Sequence, residues 1–364
     1  MQINKQSQLI LPPKTIGIIG GGQLGRMMAI AARYQGYRIV VLDPTPNCPT
    51  AQIIANYDDM EAIKDLTEKA DVITYEFENV DLEAARYIES KGKLPQGAYA
   101  LQVTQNREAE KNLMKQLGLP VAPFSIVKNE AEVKKALQET NFPAVIKTCS
   151  GGYDGKGQLK LDSPADEAAA IKFISQGGTF IIEEWITFDK EISVIFTRSR
   201  DGEITYFPLA ENEHKDHILD ITLAPAKVNE TVARKALEAA KSLAEEIQVV
   251  GSFTIEMFVK GEEIYINEMA PRPHNSGHYT IEACNVSQFS QHIRAICSLP
   301  LPPVEQLKKA IMINVLGEDL PRALSAFSKV PEAAIHLYGK EAAKAKRKMG
   351  HVTLTADTDE ELKL

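Results

Sequence analysis

The chain lacks the features that would tie it to a membrane or brace it with disulfides. It has no run of about eighteen apolar residues, so no transmembrane helix is expected. The opening stretch M-Q-I-N-K-Q-S-Q-L-I-L-P-P-K has neither an apolar core nor a small-residue cleavage site, so no signal peptide is expected either. The four cysteines, Cys48, Cys149, Cys284 and Cys297, stand far apart with no C-x-x-C pair, the pattern of scattered reduced thiols in a cytoplasmic protein. Positive charge is in deficit. The net charge of -8 argues against a broad nucleic-acid surface, but leaves room for lysines and arginines that hold a small anion in a cleft.

What is present is a chain of 364 residues, 44% hydrophobic and 25% charged, long enough for two or three globular domains. The first hundred residues alternate apolar strands (Thr15–Gly20, Tyr37–Asp43, Asp71–Glu76) with helical stretches such as Leu24–Gln35, the signature of βαβ units and a parallel sheet. From about Thr104 the pattern becomes mixed. Helices are expected over Arg107–Leu117, Glu130–Glu139 and Glu230–Ile247, with strands at Phe124–Val127, Ala144–Lys147 and Thr179–Ile186. Asp201-Gly202 marks a hairpin turn, and further strands read as Phe253–Val259 and Glu263–Met269. L-P-L-P-P (Leu299–Pro303) marks a boundary before a small β-rich unit with strands at Ile311–Leu316, Ala334–Tyr338 and His351–Thr355. The final D-T-D-E-E-L-K-L reads as the opening of a helix.

Two glycine-rich segments stand out. Gly20-Gly21-Gly22-Gln23-Leu24-Gly25 follows a strand and opens a helix, and Asp43 ends the next strand, which together satisfy the dinucleotide fingerprint. Because the tight turn needs glycine with or without a cofactor, the expectation is a Rossmann-like domain that uses this helix end for another ligand. The second segment, P-A-V-I-K-T-C-S-G-G-Y-D-G-K-G-Q (Pro143–Gln158), sets Lys147 on an apolar strand before a loop with four glycines. A lysine there needs an anionic partner, since burying an unpaired ammonium is costly. The loop can offer N–H groups and the Lys156 ammonium to phosphates, although its spacing is not that of a P-loop.

In F-I-I-E-E-W-I (Phe180–Ile186) an apolar strand switches to two acids and a tryptophan. A strand end of this kind can present its backbone to an adenine edge, with Glu191 placed for ribose hydroxyls. The hairpin F-T-I-E-M-F-V-K-G-E-E-I-Y-I-N-E-M (Phe253–Met269), centred near Glu262, puts Glu256 across from Glu268, about 5 Å apart. Facing carboxylates repel unless a proton or a cation lies between them, and hard oxygen ligands beside a nucleotide suggest magnesium. A-P-R-P-H-N-S-G-H (Ala270–His278) follows at once, a rigid polar loop suited to holding an acceptor. Its two histidines, like His214 and His217, lack the third ligand at the right spacing that zinc would need.

Together Lys147, the glycine-rich loop, E-E-W-I, Glu191 and the Glu256/Glu268 pair resemble the ATP-grasp superfamily. T-Y-E-F-E-N-V (Thr74–Val80), G-G-Y-D-G-K-G-Q and N-E-M-A-P-R-P-H-N-S-G-H are more specific, and resemble the 5-(carboxyamino)imidazole ribonucleotide synthases of purine biosynthesis from about Ile16 to Leu354. The resemblance implies a fold of mixed α/β and α+β class. It comprises a Rossmann-like pre-ATP-grasp domain (1–106), a two-lobed ATP-grasp core (107–298) and a small β-rich C-terminal domain (299–364), assembled as a cytoplasmic homodimer. It implies carboxylation of 5-aminoimidazole ribonucleotide by bicarbonate through carboxyphosphate, with ATP split to ADP and phosphate.

By motif position, Arg107 and Lys147 would contact ATP phosphates under a lid formed by Gly152, Tyr153, Asp154, Gly155, Lys156, Gly157 and Gln158. Glu183, Glu184, Trp185 and Ile186 would form the adenine hinge, with Glu191, His214 and Asn267 completing the nucleotide site. Glu256 and Glu268 would hold Mg2+. Arg272, Tyr153, Asp154 and His274 would serve the chemistry, with Glu76 and Asn275 on the ribonucleotide and Lys340 and Arg347 on its 5′-phosphate. Lys346 departs from the family pattern, standing where a glycine is expected. Three other readings remain open at this point: a formate-dependent glycinamide ribonucleotide transformylase, an NAD-dependent oxidoreductase, and a nucleotide sensor without turnover.

Overall fold

The computed structural model describes residues 9–46, 51–151, 157–326 and 328–362. The N-terminal segment forms a four-stranded parallel sheet, ordered β3-β2-β1-β4, from β1 (Thr15–Ile19), β2 (Arg38–Leu42), β3 (Ala51–Ile53) and β4 (Val72–Tyr75). Its strands are apolar runs because helices cover them; Ile16, Ile18, Val72 and Ile73 are fully buried. Asp59 and Asp81 cap the helices Met60–Lys69 and Leu82–Ser90 by accepting N–H bonds in their first turns.

A second sheet, ordered β5-β8-β6-β7, is antiparallel and built from β5 (Phe124–Val127), β6 (Ala144–Thr148), β7 (Gln158–Leu161) and β8 (Phe180–Glu184). The third sheet has nine antiparallel strands. They are β9 (Lys190–Arg198), β10 (Ile204–Tyr206), β11 (Ala210–Lys215), β12 (Ile218–Ala224), β13 (Gly251–Lys260), β14 (Glu263–Ala270), β15 (Lys309–Leu316), β16 (Ala334–Leu337) and β17 (Lys348–Ala356). Their order is β14-β13-β9-β11-β12-β15-β17-β16, with β10 on β9 across the turn at Asp201-Gly202. The three C-terminal strands therefore extend this sheet: β15 pairs with β12 and covers an edge that would otherwise stay open.

Helix Glu230–Ile247, capped by Asn229, packs its alanine-rich face on β9 and β13. Helix Gln288–Ile296 sets Phe289, Ile293 and Ile296 against helix Gln23–Tyr34, which joins the first domain to the large sheet through one apolar core. The expected C-terminal helix does not form over the described residues: 357–362 make bends and turns. The acids that suggested a helix start are used otherwise, Asp357 pairing with Lys308 at 2.5 Å and Asp359 with Lys309 at 3.0 Å. Among the described residues no helix is long and apolar enough to cross a membrane.

Candidate active site

A cavity of about 660 Å³ opens between the four-stranded lobe and the nine-stranded sheet. One wall carries Lys147, Glu183, Glu184, Trp185 and Ile186 with Gly157 and Gln158; the other carries Glu191, His214, Glu256, Asn267 and Glu268. Arg107, Arg272, His274 and Asn275 close the end between them. Thus sixteen residues singled out in the sequence, from positions 107 to 275, line a single cleft.

The carboxylate pair stands where the hairpin reading put it, with Glu256 directly opposite Glu268 on β13 and β14. The local route differs. The turn is the two-residue Gly261-Glu262, with Lys260 facing Glu263, and pairs up to Met257–Ile266 follow that register. A β-bulge at Asn267 then inserts one extra residue and brings Glu268, instead of Asn267, across from Glu256. Burial, then the facing Glu268, pushes the Glu256 carboxyl up to about 7. Two oxygen-donor side chains that resist sharing a site as anions fit a hard divalent cation. Among the described residues no three His, Cys, Asp or Glu are grouped for a metal ion. Magnesium takes one or two carboxylates from a protein and completes its shell with phosphate and water.

On the opposite wall, Lys147 finds its anionic partner inside the chain, with Nζ 2.6 Å from Glu183 Oε2. Lys111 Nζ lies 3.0 Å from Glu183 Oε1. Burial works against the Glu183 charge, yet the two ammonium groups outweigh it and hold the carboxyl well below the usual carboxylate range. The side chain of Glu183 therefore orients lysines rather than facing a base. Just beyond, the N–H groups of Glu184 and Trp185 donate to the carbonyls of Pro123 and Pro143, fixing the backbone turn in the cleft. Across from them, Glu191 is held by His214, Nδ1 to Oε2 at 2.5 Å. Burial opposes the imidazolium, but Glu191, Glu256 and Glu268 together raise its pKa.

The loop after β14 is pinned at successive positions. Gln96 Nε2 donates to the Pro271 carbonyl at 2.9 Å, Glu78 accepts from Arg272 Nε at 2.7 Å, and Gln288 bonds both the N–H and the carbonyl of His274. His274 Nε2 sits 3.4 Å from Glu256 Oε1, while burial and then Arg272 hold His274 neutral. Asn275 is buried on the cleft wall, and among the described residues neither of its amide atoms has a hydrogen-bond partner, as expected of a group that waits for a ligand.

Three expected contacts lie off this wall. The Glu76 carboxylate accepts N–H bonds from Gly22 and Gly25 at 2.6 and 2.7 Å, while Asp43 takes Gly21 at 2.6 Å. A carboxylate of the chain thus sits at the helix N-terminus that a dinucleotide pyrophosphate would occupy, which argues against the oxidoreductase reading. Gly20 and Gly25 are needed for this close approach: a Cβ at Gly20 would come within 2.3 Å of Glu76 Cγ, and one at Gly25 within 2.2 Å of the Gly20 carbonyl.

Lys340 Nζ donates to Gln23 Oε1 and the Lys348 carbonyl; burial and then Arg347 bring its pKa down to about 8. Arg347 is exposed and bonds the Ala342 carbonyl at 2.9 Å. The basic residue of this run that does line the cleft is Lys348, which opens β17. The sequence reading passed over Lys348, as it did Lys111, Glu110 and Glu78. Spacing could have flagged the pair at 110 and 111, one helical turn after Arg107 and on its face. Gly152, Tyr153, Asp154, Gly155 and Lys156 lie outside the described residues.

An antiparallel four-stranded lobe beside a larger sheet, with Lys147 on one and the carboxylate hairpin on the other, is the ATP-grasp arrangement, and the chain is an ATP-grasp ligase. The family model for the ATP-grasp domain matches residues 112–289, that for the ribonucleotide synthetase preATP-grasp domain residues 13–105, and that for the phosphoribosylaminoimidazole carboxylase C-terminal domain residues 310–363. The N5-carboxyaminoimidazole ribonucleotide synthase of Bacillus subtilis (strain 168) is 47% identical over 362 residues, covering 97% of this chain and 94% of the relative. A crystal structure of an N5-carboxyaminoimidazole ribonucleotide synthetase in complex with ADP superposes with a TM-score of 0.94 at 51% identity, covering 98% of this chain and 96% of that one. The synthase of Aspergillus clavatus, solved with ADP and 5-aminoimidazole ribonucleotide, gives 0.87 at 32% identity, covering 96% and 95%. The chain belongs to the N5-carboxyaminoimidazole ribonucleotide synthase family. These relatives agree with the carboxylating reading and not with the formate-dependent transformylase or a sensor without turnover.

Proposed function

We propose that the chain carboxylates the exocyclic amine of 5-aminoimidazole ribonucleotide with bicarbonate while ATP is split to ADP and phosphate. The observation that carries this reading is the Glu256/Glu268 pair facing into the same cleft as Lys147 and Arg272. Phosphoryl transfer asks the protein mainly for positioning and charge neutralisation. Lys147 and Arg107 meet the phosphates, Glu191 accepts from ribose hydroxyls, and the turn at Glu184–Ile186 offers backbone to the adenine. Glu256 and Glu268 would hold magnesium, which when bound supplies charge neutralisation at the phosphates.

A bicarbonate oxygen, oriented by the Arg272 fork, attacks the γ-phosphorus as the bond to the ADP oxygen breaks, giving carboxyphosphate. The amine is then carboxylated, phosphate leaves and the amine gives up a proton. Asn275 and His274 face this acceptor, and Lys348 on the cleft wall, with Lys340 bonded to its carbonyl and Arg347 before it in the chain, would meet its 5′-phosphate. The family reading also carries a homodimer and a cytoplasmic location. In 18O-labelled bicarbonate, one labelled oxygen is expected in the phosphate product. Label-free phosphate from a turning-over enzyme would overturn the carboxyphosphate route.

A further inference from the structure

Lys111 belongs to no motif singled out above, yet it is 1% exposed. It lies one turn into helix Arg107–Gln116, below the Asn106 cap. A buried ammonium is tolerable only with full pairing. Among the described residues Lys111 has three partners, and all belong to the cleft: Glu183 Oε1 at 3.0 Å, the Ile266 carbonyl at 3.1 Å and the Asn267 carbonyl at 2.9 Å.

The two carbonyls are the informative part. In an unbroken strand successive carbonyls point to opposite sides, so one ammonium cannot take both. At the bulge they turn to the same side, and Lys111 caps them together. The residue before it works on the same strand, Glu110 accepting the Met269 N–H at 2.7 Å. β14 is the outermost strand of its sheet, and this stretch of its edge is dressed by these two side chains and by the segment at Pro120–Val121, where the Pro120 carbonyl takes the Ile266 N–H and Val121 forms a parallel bridge with Ile266. A one-residue slip would put Asn267 opposite Glu256 and turn Glu268 to the other face.

We infer that Lys111 is a positioning residue: it locks the Asn267 bulge and so sets the Glu256/Glu268 register, while through Glu183 it aligns Lys147 on the facing lobe. The inference rests on the reading of those two carboxylates as the magnesium site. It is tested on the full chain by calorimetric titration with a non-hydrolysable ATP analogue, with and without Mg2+, beside a melting curve. Wild type should bind more tightly with Mg2+. In Lys111→Met that gain should shrink about tenfold or more, as when an outer partner of a metal ligand is removed, and Lys111→Arg should restore most of it. A merely structural role would lower the melting temperature and weaken both affinities alike. A folded Lys111→Met with the full wild-type Mg2+ gain overturns the inference. If that variant does not fold, the milder Lys111→Gln is read by the same ratio and the same criterion. No Mg2+ gain in wild type would instead overturn the metal reading, and this inference with it.

Discussion

Glu268→Gln is expected to lower ATP turnover by about a thousandfold, or about 4 kcal/mol in the barrier, because on the proposed reading it removes one of two carboxylates that would hold the metal at the phosphates. The fold should not suffer. Glu268 faces another carboxylate, and its only ion pair among the described residues is a long one, 3.7 Å to Arg107. Taking away a like charge beside Glu256 relieves repulsion, so a melting temperature within about 1 °C of wild type is expected, under about 1 kcal/mol for a chain of this size. Wild-type ADP release by the variant would refute the metal assignment. A large fall in melting temperature would instead make Glu268 a structural residue.

Arg272→Lys should produce the second large effect, of a different kind. The charge stays, so Glu78 keeps a cationic partner, but the planar fork is lost. That fork now spends Nε and Nη2 on Glu78, at 2.7 and 2.6 Å, and Nη1 on the Pro273 carbonyl at 3.2 Å, which fixes its plane against the cleft. A lysine offers a point charge without that plane. At saturating ATP and ribonucleotide, kcat/KM for bicarbonate is expected to fall about a hundredfold, roughly 2.7 kcal/mol. The dissociation constant for ATP should stay within about twofold of wild type. An equal loss of ATP affinity would mean that Arg272 serves the nucleotide rather than the small anion.

Much of the architecture was legible because local signals agreed with global packing. Helices Glu130–Glu139 and Glu230–Ile247 begin and end where the pattern placed them, each behind an asparagine whose side chain caps the first turn. Strand Phe124–Val127 is likewise as read. The alternation in the first hundred residues matches the parallel sheet, and the residues brought to the cleft come from the motifs that the sequence reads as a nucleotide site.

What escaped falls into four cases. Glu76 filling the glycine turn is a long-range contact, and nothing in G-G-G-Q-L-G distinguishes a turn that holds a cofactor from one that holds the chain's own carboxylate. The bulge at Asn267 has no sequence mark, so the correct facing of Glu256 and Glu268 emerged from a hairpin centred half a residue too far along, with the bulge supplying the correction. Lys111 and Glu110 read as an ordinary polar pair on a helix, since burial of charge is set by what packs above them. At the C-terminus, acids in D-T-D-E-E resembled a helix start, but Lys308, just before β15, and Lys309, which opens it, claim two of them.

The most direct test is ADP release by the purified chain in a coupled assay, with bicarbonate and 5-aminoimidazole ribonucleotide supplied together, singly and not at all. The account expects full release only when both are present with Mg2+ and ATP, and background release when either is withheld. Equal ADP release without bicarbonate, or its replacement by formate, would contradict it.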